Sequence, residues 1–312
     1  MLTRRHIRVK VMQVIYALAL SREGSLETQQ KFLNQSIAQT FTLYLLILAL
    51  FRELHQLAEE QVKKGSRKYV KTEVETTPLR LSENRVLRQI SDNAKLGESL
   101  EKRKLRQWYL NEEYVKILLR EILQSDLYRD YANKPSGYQE DREFLVAIFK
   151  EIIAPNEKIY EFLEDEGITW VDDLPLVNTY LLKQFRKVKP DSPEAYFLPP
   201  LLKNREDMDF AIELLKKTLL RGEELEAEIE GKTPNWDKER IAELDAILLK
   251  MAIAELLYFP SIPERVTINE YLEIAKEYST PKSSIFINGV LDKLTRDYKA
   301  SGRLKKSGRG LL

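Results

Sequence analysis

The chain has no cysteine and only two histidines, His6 and His55, among its 312 residues. Without cysteine there is no disulfide, no thiolate nucleophile and no cysteine-ligated metal, and a cytoplasmic protein is the expectation. The two histidines are far apart in sequence and offer no histidine–carboxylate spacing that suggests a metal. Glycine (11) and proline (12) are scarce, too few for the turns of a sandwich or barrel. Net charge is almost absent as well. Fifty basic against 49 acidic side chains leave +1, so any attraction to a polyanion must be local.

Other absences bear on chemistry. No Gly-x-Gly-x-x-Gly or Gly-x-x-x-x-Gly-Lys occurs, so no phosphate-cradling loop is readable. No Ser, Thr, Lys or carboxylate stands in a nucleophile elbow or triad context. The many carboxylate pairs read as solvated helix faces. The expectation is a protein that is not an enzyme, with no catalytic residue, no metal and no cofactor. Long apolar runs are missing too: residues 41–51 fall short of the roughly 20 that span a bilayer. The opening MLTRRHIRVKVMQVIYALAL is basic and then apolar, as a signal peptide is. Lys10 and Gln13 interrupt it, however, and no small-residue cleavage site follows. No membrane association is expected.

What the sequence does hold is Leu, Glu and Lys in long uninterrupted runs, a helix-forming mixture. Residues 4–20 form a first helix with Thr3 as N-cap. Ile7, Val11, Val14, Ile15 and Leu18 make one apolar face, and Val9, Met12 and Tyr16 a second. A helix apolar on two sides is central. A long helix follows over 26–64, with 41–51 buried on several sides. Residues 66–82 read as a linker or short extended piece. Helical patterns resume at 83–97, 100–132, 139–153, 156–166 and 175–187, punctuated by prolines that cluster at 190–200. Further helices are expected at 205–230, marked by Met208, Ile212, Leu215, Leu219 and Ile229, and at 236–258, after a break at Gly231, Pro234 and Asn235. Thr267-Ile-Asn-Glu270 reads as a capping box opening another. Thr280-Pro281 reads as N-cap and N1 of the last. Gly289 inside that helix costs about 1 kcal/mol against Ala, which suggests a second backbone close by. No internal repeat of fixed period stands out, and low complexity is confined to the end of the chain.

Charge is distributed unevenly. Arg4, Arg5, Arg8, Lys10 and Arg22 open the chain with no acidic residue among the first 22, and Lys299, Arg303, Lys305, Lys306 and Arg309 lie near its end. Acidic residues such as Glu164, Asp165, Glu166, Asp172 and Asp173 lie between. Basic ends on a neutral body are the local footprint that phosphate binding needs.

Two separated segments carry a resemblance. The first is Thr3 to Leu18, an arginine-rich turn running into a helix with Gln13, an apolar pair and Tyr16. The second holds Leu248-Leu-Lys-Met-Ala-Ile-Ala-Glu-Leu256, Ile262-Pro, Ile268-Asn-Glu, Glu273-Ile-Ala-Lys276 and Phe286-Ile-Asn-Gly-Val-Leu-Asp-Lys293. In that order and spacing they resemble the NusB family of transcription antitermination factors. The resemblance covers residues 3–22 and 204–298 and implies an all-α fold: a NusB-like helical-bundle core of two three-to-four-helix subdomains with a large helical insertion. The expected domains are 1–24, the first helix of the core; 25–203, the insertion; 204–300, the rest of the core; and 301–312, a basic flexible tail. The insertion should carry its own small core and act in docking.

The resemblance further implies an RNA-binding antitermination factor. It would act with the small-subunit ribosomal protein NusE on boxA-type single-stranded RNA, within the RNA polymerase elongation complex during rRNA transcription. Its RNA surface would be Arg4, Arg5, His6 and Arg8 together with Lys282, Ser283 and Phe286. Cations on phosphates and an aromatic ring under a base agree with that role. Asp245, expected to be exposed, and Lys250 would face the protein partner. Two alternatives stay open: a helical scaffold or ribosome-assembly protein that kept the fold, and the RNA-binding part of an rRNA methyltransferase system.

Overall fold

The computed structural model describes residues 1–65, 78–135, 137–230, 232 and 241–307. Every regular element among them is helical, as the fold-class expectation required. The chain divides into two compact units, 1–37 with 201–312 and 38–200. The expected boundaries at 24/25 and 203/204 therefore move. Helix α2 (Leu26–Gly65) runs unbroken through the cut at 37/38, whereas the expected boundary at 24/25 lies in the loop before it. At the second, the Leu2 N–H donates to Leu201 O at 2.8 Å and ties that residue to the bundle unit.

The bundle unit is built around α14 (Glu243–Tyr258), whose Ile247 to Leu256 stretch is buried apart from Lys250. A helix apolar on all sides is stable only when surrounded. Here α1 (Arg4–Ser21), α12 (Arg205–Leu220), α13 (Gly222–Glu230), α15 (Glu264–Tyr278) and α16 (Ser283–Ala300) all pack on it. Helix α1 also packs on α12, so the expected bundle forms across roughly 180 residues of sequence, since loop-closure cost grows only logarithmically with length.

Several local expectations are corrected. The helix expected at 205–230 breaks at Arg221–Gly222 into α12 and α13. Helix α13 ends at Glu230; of the expected break at 231–235 only Lys232 is described, the expected start of the next helix at 236 lies outside the described residues, and α14 is seen from Glu243. Helix α15 starts a turn before the expected capping box, so Thr267 is interior and buried and Glu270 is not its partner. Helix α16 begins at Ser283, because Thr280 and Pro281 are spent on a turn in which Ser283 N–H donates to Thr280 O at 2.9 Å. A Cβ added at Gly289 would meet nothing within 4 Å, so no second backbone lies there. Tyr16, assigned to the core, is 37% exposed. The tail is no loose end as far as Ser307. Its Ser307 N–H donates to Pro260 O at 2.9 Å, and Lys306 Nζ donates to the carbonyls of Glu255 and Phe259 at 3.1 and 3.0 Å.

The second unit does bring its own core. Leu43 to Phe51 of α2 are all buried, and Phe51 meets Phe149 and Phe185 edge-on at 5.7 and 5.0 Å. An 18-residue window of α2 has a mean hydropathy of 1.5, and by length and composition the helix could cross a membrane; 67% of that window is buried inside the protein. Around it lie α3 (Leu79–Ser82), α4 (Arg85–Ser91), α5 (Ala94–Lys102), α6 (Gln107–Leu110), α7 (Glu112–Gln124) and α8 (Asp126–Ala132). Then come α9 (Tyr138–Ile148, continued as a π-helical turn to Ile153), α10 (Glu157–Glu166) and α11 (Leu174–Lys187). Of the linker expected at 66–82, residues 66–77 lie outside the described residues, and 79–82 form the short helix α3 instead.

Burial repeats at an offset of 66 residues, although residue identity does so at only two of the seven pairs, Asp141 with Asp207 and Phe144 with Phe210. Asp141, Phe144, Leu145, Ile148, Phe149, Ile159 and Leu163 are buried. So are the residues 66 positions further on: Asp207, Phe210, Ala211, Leu214, Leu215, Leu225 and Ile229. Each buried aspartate sits in a first helical turn and accepts a hydrogen bond from the start of an earlier helix: Arg85 N–H onto Asp141 and Arg4 Nε onto Asp207.

Candidate nucleic-acid interface

The start of α1 is closed by an imidazole. His6 Nδ1 accepts the Thr3 backbone N–H at 3.0 Å and lies 3.0 Å from Thr3 Oγ1. His6 stands where a capping box has Glu or Gln. That bond needs Nδ1 unprotonated, which leaves the neutral ring's proton on Nε2. Burial, helped by the Arg5 charge, lowers the His6 pKa from its ordinary value.

The three arginines of this turn differ sharply in what they can offer. Arg4 Nε donates to Asp207 Oδ1 at 3.2 Å, and its side chain is 39% exposed. Arg5 grips Glu270 through two bonds of 3.1 and 2.9 Å and is 40% exposed. The hydrogen bond to Glu270 raises its pKa. Arg8 is 2% exposed and doubly bonded to Glu255 at 2.8 and 2.7 Å, with Glu270 a further 3.5 Å contact. Burial opposes its charge, but Glu255 outweighs burial and holds its pKa above the arginine norm. Arg8, expected on the surface, instead lies inside the bundle and reaches only the inner wall of the cleft that Arg4 and Arg5 line. It is a core cation, stacked with Arg4 against Phe210, both 5.1 Å from the ring centroid.

Arg4 and Arg5, with Thr3, His6, Pro263 and Val266, line an open cleft of about 590 Å³. Its walls come from the start of α1 and the start of α15. Each exposed guanidinium keeps N–H groups beyond those its carboxylate uses, since the fork has five donors.

The second half of the expected surface lies elsewhere. Lys282 is exposed just ahead of α16, and Phe286 is half-buried one turn later. Ser283 is only 2% exposed, and its Oγ donates to Asp245 Oδ2 at 2.7 Å. Asp245 is itself 6% exposed and also accepts from Ser279 at 2.6 Å. Ser283 is therefore withdrawn from RNA and Asp245 from any partner surface; both fasten the α15–α16 corner to α14. Lys250 is half-buried, with Nζ 3.0 Å from Glu226 Oε2, at the edge of a polar hollow shared with Lys217 and Arg221. The α16 corner is held by Asp245 and the basic turn by Glu255. These lie ten residues apart on α14, about 15 Å along its axis at 1.5 Å per residue. The two halves are neighbouring patches, and a ligand touching both must be extended.

Sequence reasoning missed the carboxylates Asp207, Glu255 and Glu270. Glu270 was legible only as a member of a capping box. Asp207 and Glu255 carried no signal, because their partners lie some 200 residues away.

Fold and site together describe an all-helical bundle protein with carboxylate-fixed arginines along an open cleft. The comparisons give its family. The NusB family profile matches residues 188–296. The transcription antitermination protein NusB of Salinibacter ruber is 46% identical over 113 residues, 36% of this chain and 71% of that protein. Its counterpart in Chloroherpeton thalassium is 38% identical over 130 residues, 41% of this chain and 62% of that protein. The Geotalea daltonii protein is 38% identical over 119 residues, 38% of this chain and 79% of that protein. The chain belongs to the NusB family, whose members are non-enzymatic transcription antitermination proteins.

Proposed function

We propose that this protein is a cytoplasmic RNA-binding antitermination factor. It holds boxA-type single-stranded RNA, together with the small-subunit ribosomal protein NusE, in the RNA polymerase elongation complex during rRNA transcription. The observation that carries this reading is the cleft in which Arg4 and Arg5 keep exposed guanidinium edges although each is fixed by a carboxylate. A pre-ordered cation loses little freedom when a phosphate arrives, and a guanidinium fork matches phosphate geometry. Lys282 adds a point charge and Phe286 an aromatic face. The NusE contact falls to the rim around Lys250, since Asp245 is buried.

Fluorescence anisotropy with a boxA-type oligonucleotide across a salt series tests the RNA reading. Arg5→Ala and Lys282→Ala should each flatten the slope of log affinity against log salt by about 0.7, the share of one phosphate on a single strand. Phe286→Ala should lose about 1–3 kcal/mol at every salt concentration. If both cation variants keep the wild-type slope, the RNA does not lie on this surface.

A further inference from the structure

The second unit carries a cationic turn that the reading above does not use. Lys102, Arg103, Lys104 and Arg106 are four cations in five residues, and all four are exposed. They occupy the turn between α5 and α6. Their backbone is fixed. Lys104 N–H donates to Glu101 O at 2.9 Å and Leu105 N–H to Leu100 O at 3.0 Å, the paired bonds that close a helix C-terminus. In that motif the left-handed residue is usually glycine. Here it is Lys104, with φ 55°, so a cation stands where glycine would be the lower-energy choice.

Arg103 is anchored over the Phe41 ring, 5.3 Å from its centroid. Trp108 is 2% exposed, and its Nε1 donates to Leu46 O at 2.7 Å. That anchor fixes short α6 and leaves the next residue, Tyr109, 74% exposed. Arg106 and Tyr109 line one groove of about 170 Å³ with Arg52, Leu105 and the carboxylates Glu53 and Glu101. No ion pair to Lys102, Lys104 or Arg106 occurs among the described residues.

Cations set in sequence beside an outward-facing phenol match a single-stranded nucleic acid: phosphates on the cations, a base on the ring. Any base can stack on such a ring whatever the sequence, which favours a nucleic acid over an acidic protein at this turn. We propose that the turn 102–109 is a second single-stranded RNA contact, with Lys102, Lys104 and Arg106 on phosphates and Tyr109 under a base. It builds on the RNA-binding reading but stands on different residues.

The test uses the full-length protein, a labelled oligouridylate and a salt series. Lys102→Gln, Lys104→Gln and Arg106→Gln combined should flatten the salt slope by about 2, three phosphates at about 0.7 each. Tyr109→Ala should weaken binding roughly 5- to 150-fold with little change of slope, the contribution of one stacked base. All four side chains are exposed, and circular dichroism checks that the fold persists. Unchanged affinity and slope in both variants overturn the proposal. So does polyglutamate that displaces RNA from the wild type and binds it independently of Tyr109, which assigns the turn to an acidic partner. The two sites fail separately. If the Arg5 and Lys282 variants lose RNA and the turn variants do not, only this inference falls. If the reverse holds, this inference stands and the α1 cleft is not the RNA site.

Discussion

Arg8 and Glu255, 247 residues apart in sequence, meet through two parallel hydrogen bonds inside the bundle, with side chains 2% and 0% exposed. Glu255 also accepts the Thr267 hydroxyl at 2.8 Å and the Tyr271 hydroxyl at 3.3 Å. One carboxylate thus joins α1, α14 and α15. A buried pair of this kind adds little stability over well-packed apolar residues, yet breaking it leaves an uncompensated charge in the core.

Arg8→Ala should therefore cost about 3–5 kcal/mol, read as the shift in a urea denaturation curve. Arg8→Met combined with Glu255→Leu should recover only part of that loss, because the Thr267 and Tyr271 hydroxyls lose their acceptor. A single variant as stable as wild type would show that the pair does not hold the bundle together.

Acid should weaken the fold through both histidines. Burial lowers the pKa of His6, with the Arg5 charge adding to it, and burial lowers that of His55, which lies against Ser82 O. A depressed histidine pKa means the folded state favours the neutral ring while the unfolded chain takes up protons from about pH 6.5. Stability should then be fully present above about pH 6.5 and fall as pH drops below it toward the lowered folded values. Comparing denaturation midpoints across that range in His6→Gln and in wild type isolates the α1 contribution. An acid loss identical in the two would remove His6 from the account.

Gly289 lies exposed in α16 with open space where a side chain would begin. Gly289→Ala should raise stability by about 0.5–1 kcal/mol through helix propensity and the unfolded chain. A destabilised variant would mean that the glycine answers a constraint the isolated chain does not reveal.

Asp245→Ala should lower stability by about 2 kcal/mol or more, because two serine hydroxyls lose a charged acceptor in the interior. Asp245→Lys, the natural charge-reversal test of a partner contact, should first unfasten the α15–α16 corner. Loss of NusE binding by that variant is informative only if its thermal midpoint is unchanged.

Long periodic helices were legible because a helix announces its own buried face every three or four residues. This holds for α1, for α2 and for the burial of 41–51. Pairings between distant elements were not. Arg8 reads as a surface cation in any window of the sequence, and only Glu255, supplied from α14, turns it into a core residue. Asp245 fails for the same reason: its donors, Ser279 and Ser283, sit at the α15–α16 turn, beyond the reach of helical periodicity. The capping-box reading of Thr267 to Glu270 failed because the helix had already begun at Glu264, where Pro263 supplies the extended residue that precedes it. The recurrence of burial between 141–163 and 207–229 escaped for another reason. What recurs there is position relative to a core, and apart from the Asp141/Asp207 and Phe144/Phe210 pairs different apolar residues satisfy it.

Glu255 also sets an order of events during synthesis. Arg8, made 247 residues earlier, waits for the Glu255 side chain, and the Glu255 carbonyl in turn waits for Lys306. At the usual 5–20 residues per second, α1 spends roughly 12–50 seconds on the ribosome before its buried partner exists. For that interval a helix with two apolar faces and three arginines is a client without a core, while residues 38–200 have already emerged and can close on themselves. The inserted unit lengthens the wait, so the nascent first helix is where a chaperone would be needed most.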